Sequence, residues 1–335
     1  MFPVKTVLAV DGGASKVDVA LIDVEGNVRS AVRRRGRFNF GLGSNGSFEG
    51  LARAIKAASS TAATLGVFCL AGADIPIDDR RIGAQIEAQG WAKRTLVRND
   101  TFAVLRAGTD RSWGVAVACG TGMNCAGLGP DGSSVRFPSF GELSGDRAHG
   151  GGWLGRAALG AAIRARDGRG PRTRLEKSVP AHFGMARPTA VMEAVYTGKL
   201  ENARLSELAP LVLGAAAAGD TVAQELIDQM TDEIVVTAGA AIRRLRLTKR
   251  DVHVVLGGGV LRAMDARDIA RIAAGIREVA PAAEIRQLDA PPVLGAALMG
   301  LDALRAPKAA QQRVRQALTG QDRPLRSAGR RRPRR

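Results

Sequence analysis

The stretch TVLAVDGGASKVDVALID, from Thr6 to Asp23, has the pattern of a buried strand, a tight turn and a second buried strand. A hairpin accounts for its two glycines, because Asp-Gly is a frequent turn pair and glycine adopts positive φ without a Cβ penalty. It does not account for Asp11 at the end of the first strand, or for Ser15 and Lys16 after the glycines. Exposed backbone beside these polar groups can bind an anion with its metal ion. The turn is therefore either a plain hairpin or an anion-binding site, and the pattern alone does not choose between them.

The composition indicates a globular protein, because 335 residues with 45% hydrophobic content can form two packed domains. The longest uncharged apolar run, 208–219, is too short for a membrane span, and the N-terminal apolar segment breaks at Asp11 before it could act as a signal peptide. Cys69, Cys119 and Cys125 form no C-x-x-C pair and no ligand cluster with His. We expect a cytoplasmic protein with no membrane partner, no disulfide and no structural zinc.

The net charge of +17 is concentrated at the C-terminus. From Lys308 to Arg335, ten Lys or Arg residues stand against one Asp. The segment 307–335 is predicted to be a disordered basic tail with weak, salt-sensitive affinity for polyanions at most, so nucleic acid is not an expected partner otherwise. Truncation after Ala306 is expected to leave turnover unchanged. A second basic run, Arg33 to Arg37, is expected to end a strand on an exposed face.

The strand pattern repeats along the chain. The first three strands are predicted at 6–11, 17–23 and 27–35. Helices and strands then alternate up to a helix that begins at Thr101, and a second run of strand, glycine turn and strand begins near Trp113. The glycine turns and the turns that follow them, at 25–26 and 131–132, have nearly equal spacing in the two halves. Such a repeat indicates a duplicated unit.

The predicted domains follow from this repeat. An N-terminal lobe covers 1–110, and the last helix, 291–306, can pack on it. A C-terminal lobe covers 111–290 and contains a helical insertion, because helical patterns dominate from Gly152 to about Arg246. A cleft is expected between these two α/β lobes.

Glycine turns that follow apolar strands form the candidate nucleotide site. Other phosphate-binding patterns fail, because no G-x-x-x-x-G-K-[ST] loop is present and GLGSNG (Gly41–Gly46) follows a basic, polar segment instead of a buried strand. The three turns are Gly12-Gly13, Gly120-Thr121-Gly122 and Gly257-Gly258-Gly259. If the repeated halves face each other, the first two turns can present backbone N–H groups to one triphosphate, and the third can contact an adenosine.

These turns, in this order within a duplicated three-strand unit, resemble the phosphate-1, phosphate-2 and adenosine motifs of the actin, hexokinase and heat-shock chaperone ATPase superfamily. Within it the chain is similar, over about residues 4 to 305, to the N-acetylglucosamine kinase and BadF/BadG/BcrA/BcrD ATPase family. The similarity includes RND with Asp100, GTGMNC, and GELSGDRAHGGGWLGRAALGAAIRARDGRGPRT.

The resemblance implies an α/β protein with the two-lobed actin-like ATPase (ribonuclease H-like) fold. Its units would be duplicated βββαβαβα repeats, with helical insertions in the second lobe. The implied activity is that of a kinase that uses ATP and Mg²⁺ to phosphorylate a hydroxyl, with the 6-OH expected, of an amino sugar such as N-acetylglucosamine or glucosamine.

The resemblance also assigns roles to residues of the first turn and of the RND motif. Asp11 resembles the aspartate that holds Mg²⁺ through water near the β- and γ-phosphates. Gly12, Gly13, Ser15 and Lys16 are expected to bind ATP together with the other two turns. Asp100 resembles the catalytic base, which orients the hydroxyl and accepts its proton. A helix N-cap is the alternative structural role for Asp100, and both roles can hold.

Short polar side chains on turns are candidates for sugar binding. Asn39 in RGRFNFG resembles the sugar-contacting asparagine of the family, with a local backbone contact as the alternative. Further candidates are Asn99, Asp100, Thr121 and Asp146. Asp146 matches the Gly-Asp of the family, but residues 147–149 depart from the aromatic or acidic residue and glycines expected there. His149 could contact the substrate or be solvated.

Two other functional classes need residues that differ from those of the kinase. An ATPase that energises a partner enzyme through a shared iron–sulfur cluster needs loop cysteines, and neither Cys119 nor Cys125 has the required position. A non-catalytic sugar sensor would not need Asp11, Asp100 and the glycine turns. The expected partner is a small amino sugar, and a homodimer is left open.

Overall fold

The computed structural model describes residues 4–36, 38, 40, 47–320 and 326–327. The chain divides into two compact units, one formed by Met1–Ala116 with Leu288–Arg335 and the other by Val117–Gln287. The sequence predicted a boundary between residues 110 and 111, and the division lies at Ala116.

The first unit begins with three antiparallel strands, followed by alternating helices and strands. The strands are β1 (Thr6–Gly12), β2 (Lys16–Asp23), β3 (Val28–Arg35), β4 (Leu65–Leu70) and β5 (Thr95–Asn99). The helices are α1 (Ser47–Ala58), α2 (Pro76–Glu87) and α3 (Asp100–Gly108). β1 pairs antiparallel with β2 and parallel with β4, so it lies in the middle of the sheet.

The central position of β1 explains its composition. Val7, Leu8, Ala9 and Val10 are fully buried, as expected for a strand that is covered on both faces. Leu8 and Val10 belong to the hydrophobic cluster that includes residues of α1 and α2. Because side chains alternate along a strand, Asp11 lies on the other face, with Val7 and Ala9.

The second unit contains a five-stranded sheet and seven helices in the part of the chain that the structure describes. Its strands are β6 (Gly114–Cys119), β7 (Met123–Leu128), β8 (Ser134–Arg136), β9 (His253–Gly257) and β10 (Glu284–Gln287). Its helices are α4 (Gly151–Asp167), α5 (Leu175–His182), α6 (Pro188–Tyr196), α7 (Ala209–Ala217), α8 (Thr221–Arg244), α9 (Gly259–Ala263) and α10 (Ala266–Val279). Two short 3₁₀ segments occur at Gly141–Ser144 and Asn202–Leu208.

The two sheets have the same strand order, which confirms the duplicated α/β fold. In the first sheet the order includes β3-β2-β1-β4-β5, and in the second it is β8-β7-β6-β9-β10. One helix, α1, lies between the third and fourth strands of the first repeat, whereas α4 to α8 lie at the equivalent point of the second. These helices form the predicted insertion.

The end of the chain returns to the first unit. It forms α11 (Val293–Ala303), α12 (Lys308–Thr319) and β11 (Arg326–Ser327). α11 packs closely on α3 and β1, since a Cβ on Gly295 would overlap the Ala103 carbonyl and one on Gly300 would overlap Val7. β11 pairs parallel with β3.

The prediction of a disordered tail is wrong for 308–319, because these residues form a helix. The helix is basic in composition, but one of its sides is apolar and packs against the first unit. Ala310, Val314 and Leu318 recur every four residues in α12 and are buried. Arg315 donates a hydrogen bond to the Ala107 carbonyl (2.7 Å) at the end of α3 and forms an ion pair with Asp110 (2.7 Å). α12 is therefore part of the packed first unit.

No single helix among the described residues is both long and apolar enough to cross a bilayer. One pair, Asn202–Ala217 and Thr221–Arg244, reaches that length and composition only when taken together across a 115° bend.

Candidate functional site

The turn between β1 and β2 places Asp11 at the end of a buried strand. Gly13 donates its N–H to the Lys16 carbonyl (3.0 Å), which closes the turn. Neither Gly12 nor Gly13 has positive φ, so the conformational reason predicted for these glycines is wrong. Gly12 is required by packing, because a Cβ there would lie 2.5 Å from Leu70 Cδ2 and 2.9 Å from the Phe40 ring.

Lys16 lies between two carboxylates. Its Nζ donates a hydrogen bond to Asp18 (2.6 Å) and lies 3.6 Å from an oxygen of Asp11. Asp11 is 5% exposed, and burial raises its pKa to about 6, while Lys16 acts to lower it and Asp18 to raise it. Ser15, which precedes Lys16, is exposed.

Arg33 neutralises the fully buried Asp18. The guanidinium donates two hydrogen bonds, from Nε to Oδ1 (2.7 Å) and from Nη2 to Oδ2 (2.8 Å). Burial acts to raise the pKa of Asp18, but the bonds from Arg33 and the charge of Lys16 outweigh it and leave the pKa below its ordinary value. The Arg33 side chain is only 27% exposed, so the expected exposed face is wrong for this residue. The sequence missed its role because its partner is 15 residues away.

The RND motif ends β5 and begins α3. Asn99, not Asp100, is the N-cap, since its Oδ1 accepts the Thr101 N–H (3.0 Å). The N-cap alternative for Asp100 is therefore wrong. The Asn99 Nδ2 group donates to Asp74 (2.8 Å), and Asn99 is fully buried. Its contact with a sugar stays a prediction.

Asp100 is half-buried at the first position of α3. Burial, and then the negative charges of Asp11 and Asp74, raise its pKa to about 7, although the backbone N–H groups of Thr101 and Asp100 act to lower it. A carboxyl group with this pKa can lose and accept a proton near neutral pH, which is the property required of a general base.

The carboxylates of the first unit fit a hydrated magnesium ion. Mg²⁺ usually keeps several waters and binds one or two carboxylates together with phosphate oxygens. The Asp11 carboxylate could accept hydrogen bonds from such waters, and the charges of Asp11 and Asp74 make the surroundings of Asp100 negative. Within 4–36, 38, 40, 47–320 and 326–327, no group of three or more His, Cys, Asp or Glu side chains could hold a metal directly. An ion that contacts one carboxylate through water needs no such group, and Asp11 has the chemistry for that contact.

Glycine segments meet in the second unit, where the backbones are too close for side chains. Gly258 has φ +102°, and a Cβ there would overlap the Cys119 backbone. The predicted turns Gly120–Gly122 and Gly257–Gly259 are thus in contact. Thr121 is exposed in the first of them.

A third segment, Gly150–Gly152, joins these turns and was not among the predicted site residues. Gly151 and Gly152 donate N–H bonds to the carbonyls of Gly120 (2.7 Å) and Thr121 (2.8 Å). Gly150 has φ +88°, and a Cβ there would overlap the Gly122 backbone. The available signal was the run of three glycines before an apolar helix.

The loop that carries Asp146 is held by its neighbours in the second unit. Asp146 is half-buried and accepts a hydrogen bond from Ser144 Oγ (2.7 Å). His149 is half-buried, and its Nε2 lies 3.2 Å from Glu142, so it supports the loop. The Arg147 N–H contacts Glu233, whose pKa is raised by burial. Glu233 was not predicted.

Asn39, which was predicted to contact the sugar, lies outside the described residues.

Cys119 and Cys125 are free and buried, and burial raises the pKa of Cys119 to about 12 and that of Cys125 further. Their thiols are therefore protonated at neutral pH.

Comparison with known proteins gives consistent results. The sequence pattern of the BadF/BadG/BcrA/BcrD ATPase family matches residues 8–300. The N-acetylmuramic acid/N-acetylglucosamine kinase of Clostridium acetobutylicum is 27% identical over 191 residues, which cover 57% of this chain and 62% of that kinase. The match thus spans less than two thirds of that relative. The N-acetyl-D-glucosamine kinase of Dictyostelium discoideum is 27% identical over 247 residues, 71% of this chain and 76% of that kinase.

A solved structure has a similar fold. The crystal structure of a candidate N-acetylglucosamine kinase from Chromobacterium violaceum matches with a TM-score of 0.70 at 26% identity. The match covers 88% of this chain and 99% of that chain.

Proposed function

Because the chain belongs to the BadF/BadG/BcrA/BcrD ATPase family, we propose that it is an ATP-dependent kinase that phosphorylates an amino sugar. The observation that carries the proposal is Asp100, a half-buried carboxyl group with a pKa of about 7 at the start of α3. The names of both curated relatives support N-acetylglucosamine as the first substrate to test.

Asp100 is the proposed general base. Its carboxylate would orient the acceptor hydroxyl and take its proton as the oxygen bonds to the γ-phosphorus and the bond to ADP breaks. Positioning and charge neutralisation account for most of the acceleration in phosphoryl transfer. The pKa near 7 supports this role, because the base is then largely ionised at slightly alkaline pH and still binds a proton.

The glycine turns and the first hairpin are the proposed nucleotide-binding residues. Gly12, Gly13, Ser15 and Lys16 in the first unit and residues 120–122 and 257–259 in the second would contact ATP. Asp11 would hold Mg²⁺ through water, and the ion, when bound, neutralises phosphate charge. The open space at these turns supports this role: a Cβ on Gly122 or Gly259 would meet no described atom within 4 Å, and one on Gly120 would meet only Gly259 N at 3.9 Å.

The sugar site is proposed to include Asn39, Asn99, Thr121 and Asp146, with transfer to the 6-OH. Asp146 and Thr121 retain polar groups that are at least partly exposed. We also propose a cytoplasmic location, which the three free cysteines support, since thiols stay reduced there.

The test is a panel of sugars with ATP and Mg²⁺, in which ADP release measures turnover and phosphorus NMR identifies the phosphorylated carbon. We expect turnover with N-acetylglucosamine or glucosamine and a 6-phosphate product. ADP release that no sugar stimulates would contradict the proposal. The cluster-dependent ATPase is not favoured, because Cys119 and Cys125 are buried. Anaerobic reconstitution with iron and sulfide should therefore give no cluster absorption.

A further inference from the structure

The first three strands, β1, β2 and β3, carry a row of charged side chains. Asp11 on β1 lies opposite Asp18 on β2, and Asp18 lies opposite Arg33 on β3. Directly opposed residues share one face of a sheet, and Lys16 shares it too because it is two residues from Asp18. The charges therefore alternate along the row, with Lys16 placed between the two carboxylates.

Lys16 is not shared equally between these carboxylates. Its distance to Asp18 (2.6 Å) is that of a charge-assisted hydrogen bond, whereas its distance to Asp11 (3.6 Å) is too long for one. Arg33 contacts both oxygens of Asp18, which fixes the carboxylate that binds Lys16.

We propose that Asp18 and Arg33 are positioning residues that hold the Lys16 ammonium away from Asp11, so that the Asp11 carboxylate stays available to the hydrated magnesium ion of the nucleotide. The inference depends on the Mg–nucleotide part of the proposed function and not on the identity of the sugar. Without the negative charge of Asp18, the nearest carboxylate to Lys16 is Asp11. A direct Lys16–Asp11 ion pair would then compete with the cation.

The proposal predicts a specific loss, which calorimetric titration of ADP with and without Mg²⁺ measures. Wild-type protein should bind ADP more tightly with Mg²⁺. Asp18→Asn and Arg33→Gln should each reduce this enhancement roughly tenfold, which is about 1.4 kcal/mol, because each removes a charged partner that holds Lys16 in place. ADP affinity without Mg²⁺ should change less than about twofold. Arg33→Lys, which keeps the charge, should restore part of the enhancement.

A second Asp–Arg ion pair, between Asp23 of β2 and Arg29 of β3, provides the matched control. Asp23 is also fully buried, and Arg29 donates to it through Nε (2.8 Å). Asp23 is five residues from Asp18 along β2, about 17 Å away. Arg29→Gln should therefore lower thermal stability without changing the Mg²⁺ enhancement of ADP binding.

A double variant separates positioning from general damage. Removing the competing ammonium, as Lys16→Met in the Asp18→Asn background, should restore the Mg²⁺ enhancement that Asp18→Asn alone loses. If Asp18→Asn does not fold, Arg33→Gln combined with Lys16→Met gives the same test. Circular dichroism and thermal unfolding identify the folded variants.

Three results with the variants would overturn the inference: folded Asp18→Asn or Arg33→Gln protein with the full enhancement, an equal loss of affinity with and without Mg²⁺, or no recovery in the double variant. Wild-type protein with no Mg²⁺ enhancement would also refute it. A failed sugar panel would contradict only the proposed reaction, because ADP titration needs no sugar.

Discussion

Replacing Asp100 by Asn should lower turnover at least about 100-fold and stabilise the folded protein at alkaline pH. The pKa of Asp100 is raised from 3.8 to about 7 by burial and by the charges of Asp11 and Asp74. The folded state therefore keeps a proton that the unfolded chain releases near pH 4. Since the unfolded state binds fewer protons between these two pKa values, the free energy of unfolding falls as the pH rises through this range.

The size of this effect follows from the pKa difference. A rise from 3.8 to about 7 is about three pKa units, and at about 1.36 kcal/mol per unit the ionised side chain costs at most about 4 kcal/mol above pH 7. The actual cost is smaller, because Asp100 is partly exposed and water screens its charge. We expect a net gain of about 1–2 kcal/mol for Asp100→Asn at pH 8 and almost none at pH 4.

Thermal unfolding at several pH values measures the gain. About 2–4 °C per kcal/mol is typical of chains of 150–250 residues, so Asp100→Asn should unfold a few degrees above wild type at pH 8. The difference should disappear towards pH 4. Turnover at pH 8, followed by ADP release, should fall at least about 100-fold, as is typical for loss of a general base.

Glu87→Gln is a suitable control, because Glu87 is exposed at the end of α2. It should change neither the pH dependence of unfolding nor the turnover. The reasoning about Asp100 is refuted if Asp100→Asn shifts the unfolding temperature equally at pH 4 and pH 8, or if it retains most of the activity.

Three further measurements test other parts of the structure. The wild-type kcat/KM should rise with pH to a plateau, with a midpoint at or below about 7, as Asp100 loses its proton; a flat profile from pH 5 to 9 would contradict this. Gly12→Ala should destabilise by about 1–3 kcal/mol in urea unfolding, whereas Gly13→Ala, whose Cβ would have no contact closer than 3.9 Å, should cost less than half as much. Truncation after Ala306 removes α12 and β11 and should lower the unfolding temperature by several degrees, whereas truncation after Ser327, which keeps both elements, should change neither stability nor turnover. Equal stability of the two truncated proteins would show that α12 and β11 contribute nothing.

The duplicated fold could be predicted because the patterns that indicate it lie within short stretches of sequence. The spacing between turns and the alternation of apolar segments are set within each repeat, and the two sheets indeed share one strand order. The glycines of the first turn were located for the same reason. Their physical role was not predicted, because Leu70 and Phe40, which exclude a Cβ at Gly12, are distant in sequence.

Features that depend on strand register or on distant packing could not be predicted. The run that contains Arg33 has the composition of an exposed face, and only the pairing of β2 with β3 places Asp18 beside it. The apolar stripe of α12 has three small or aliphatic residues within a strongly basic segment, so composition alone favoured disorder. The structural role of Asn99 also depends on distant packing, since its side chain caps α3 and donates to Asp74, 25 residues away.

The two buried aspartates of β2, each paired with an arginine of β3, differ in what the fold requires of them. Asp23 accepts hydrogen bonds from the backbone and side chain of Asn27 as well as from Arg29, so it holds the turn that follows β2. Asp18 has no turn to hold, because its partners are the side chains of Lys16 and Arg33. A buried ion pair contributes little stability compared with apolar side chains of similar size. Stability alone therefore gives no reason for a carboxylate beside Asp11, whereas control of the Lys16 ammonium does.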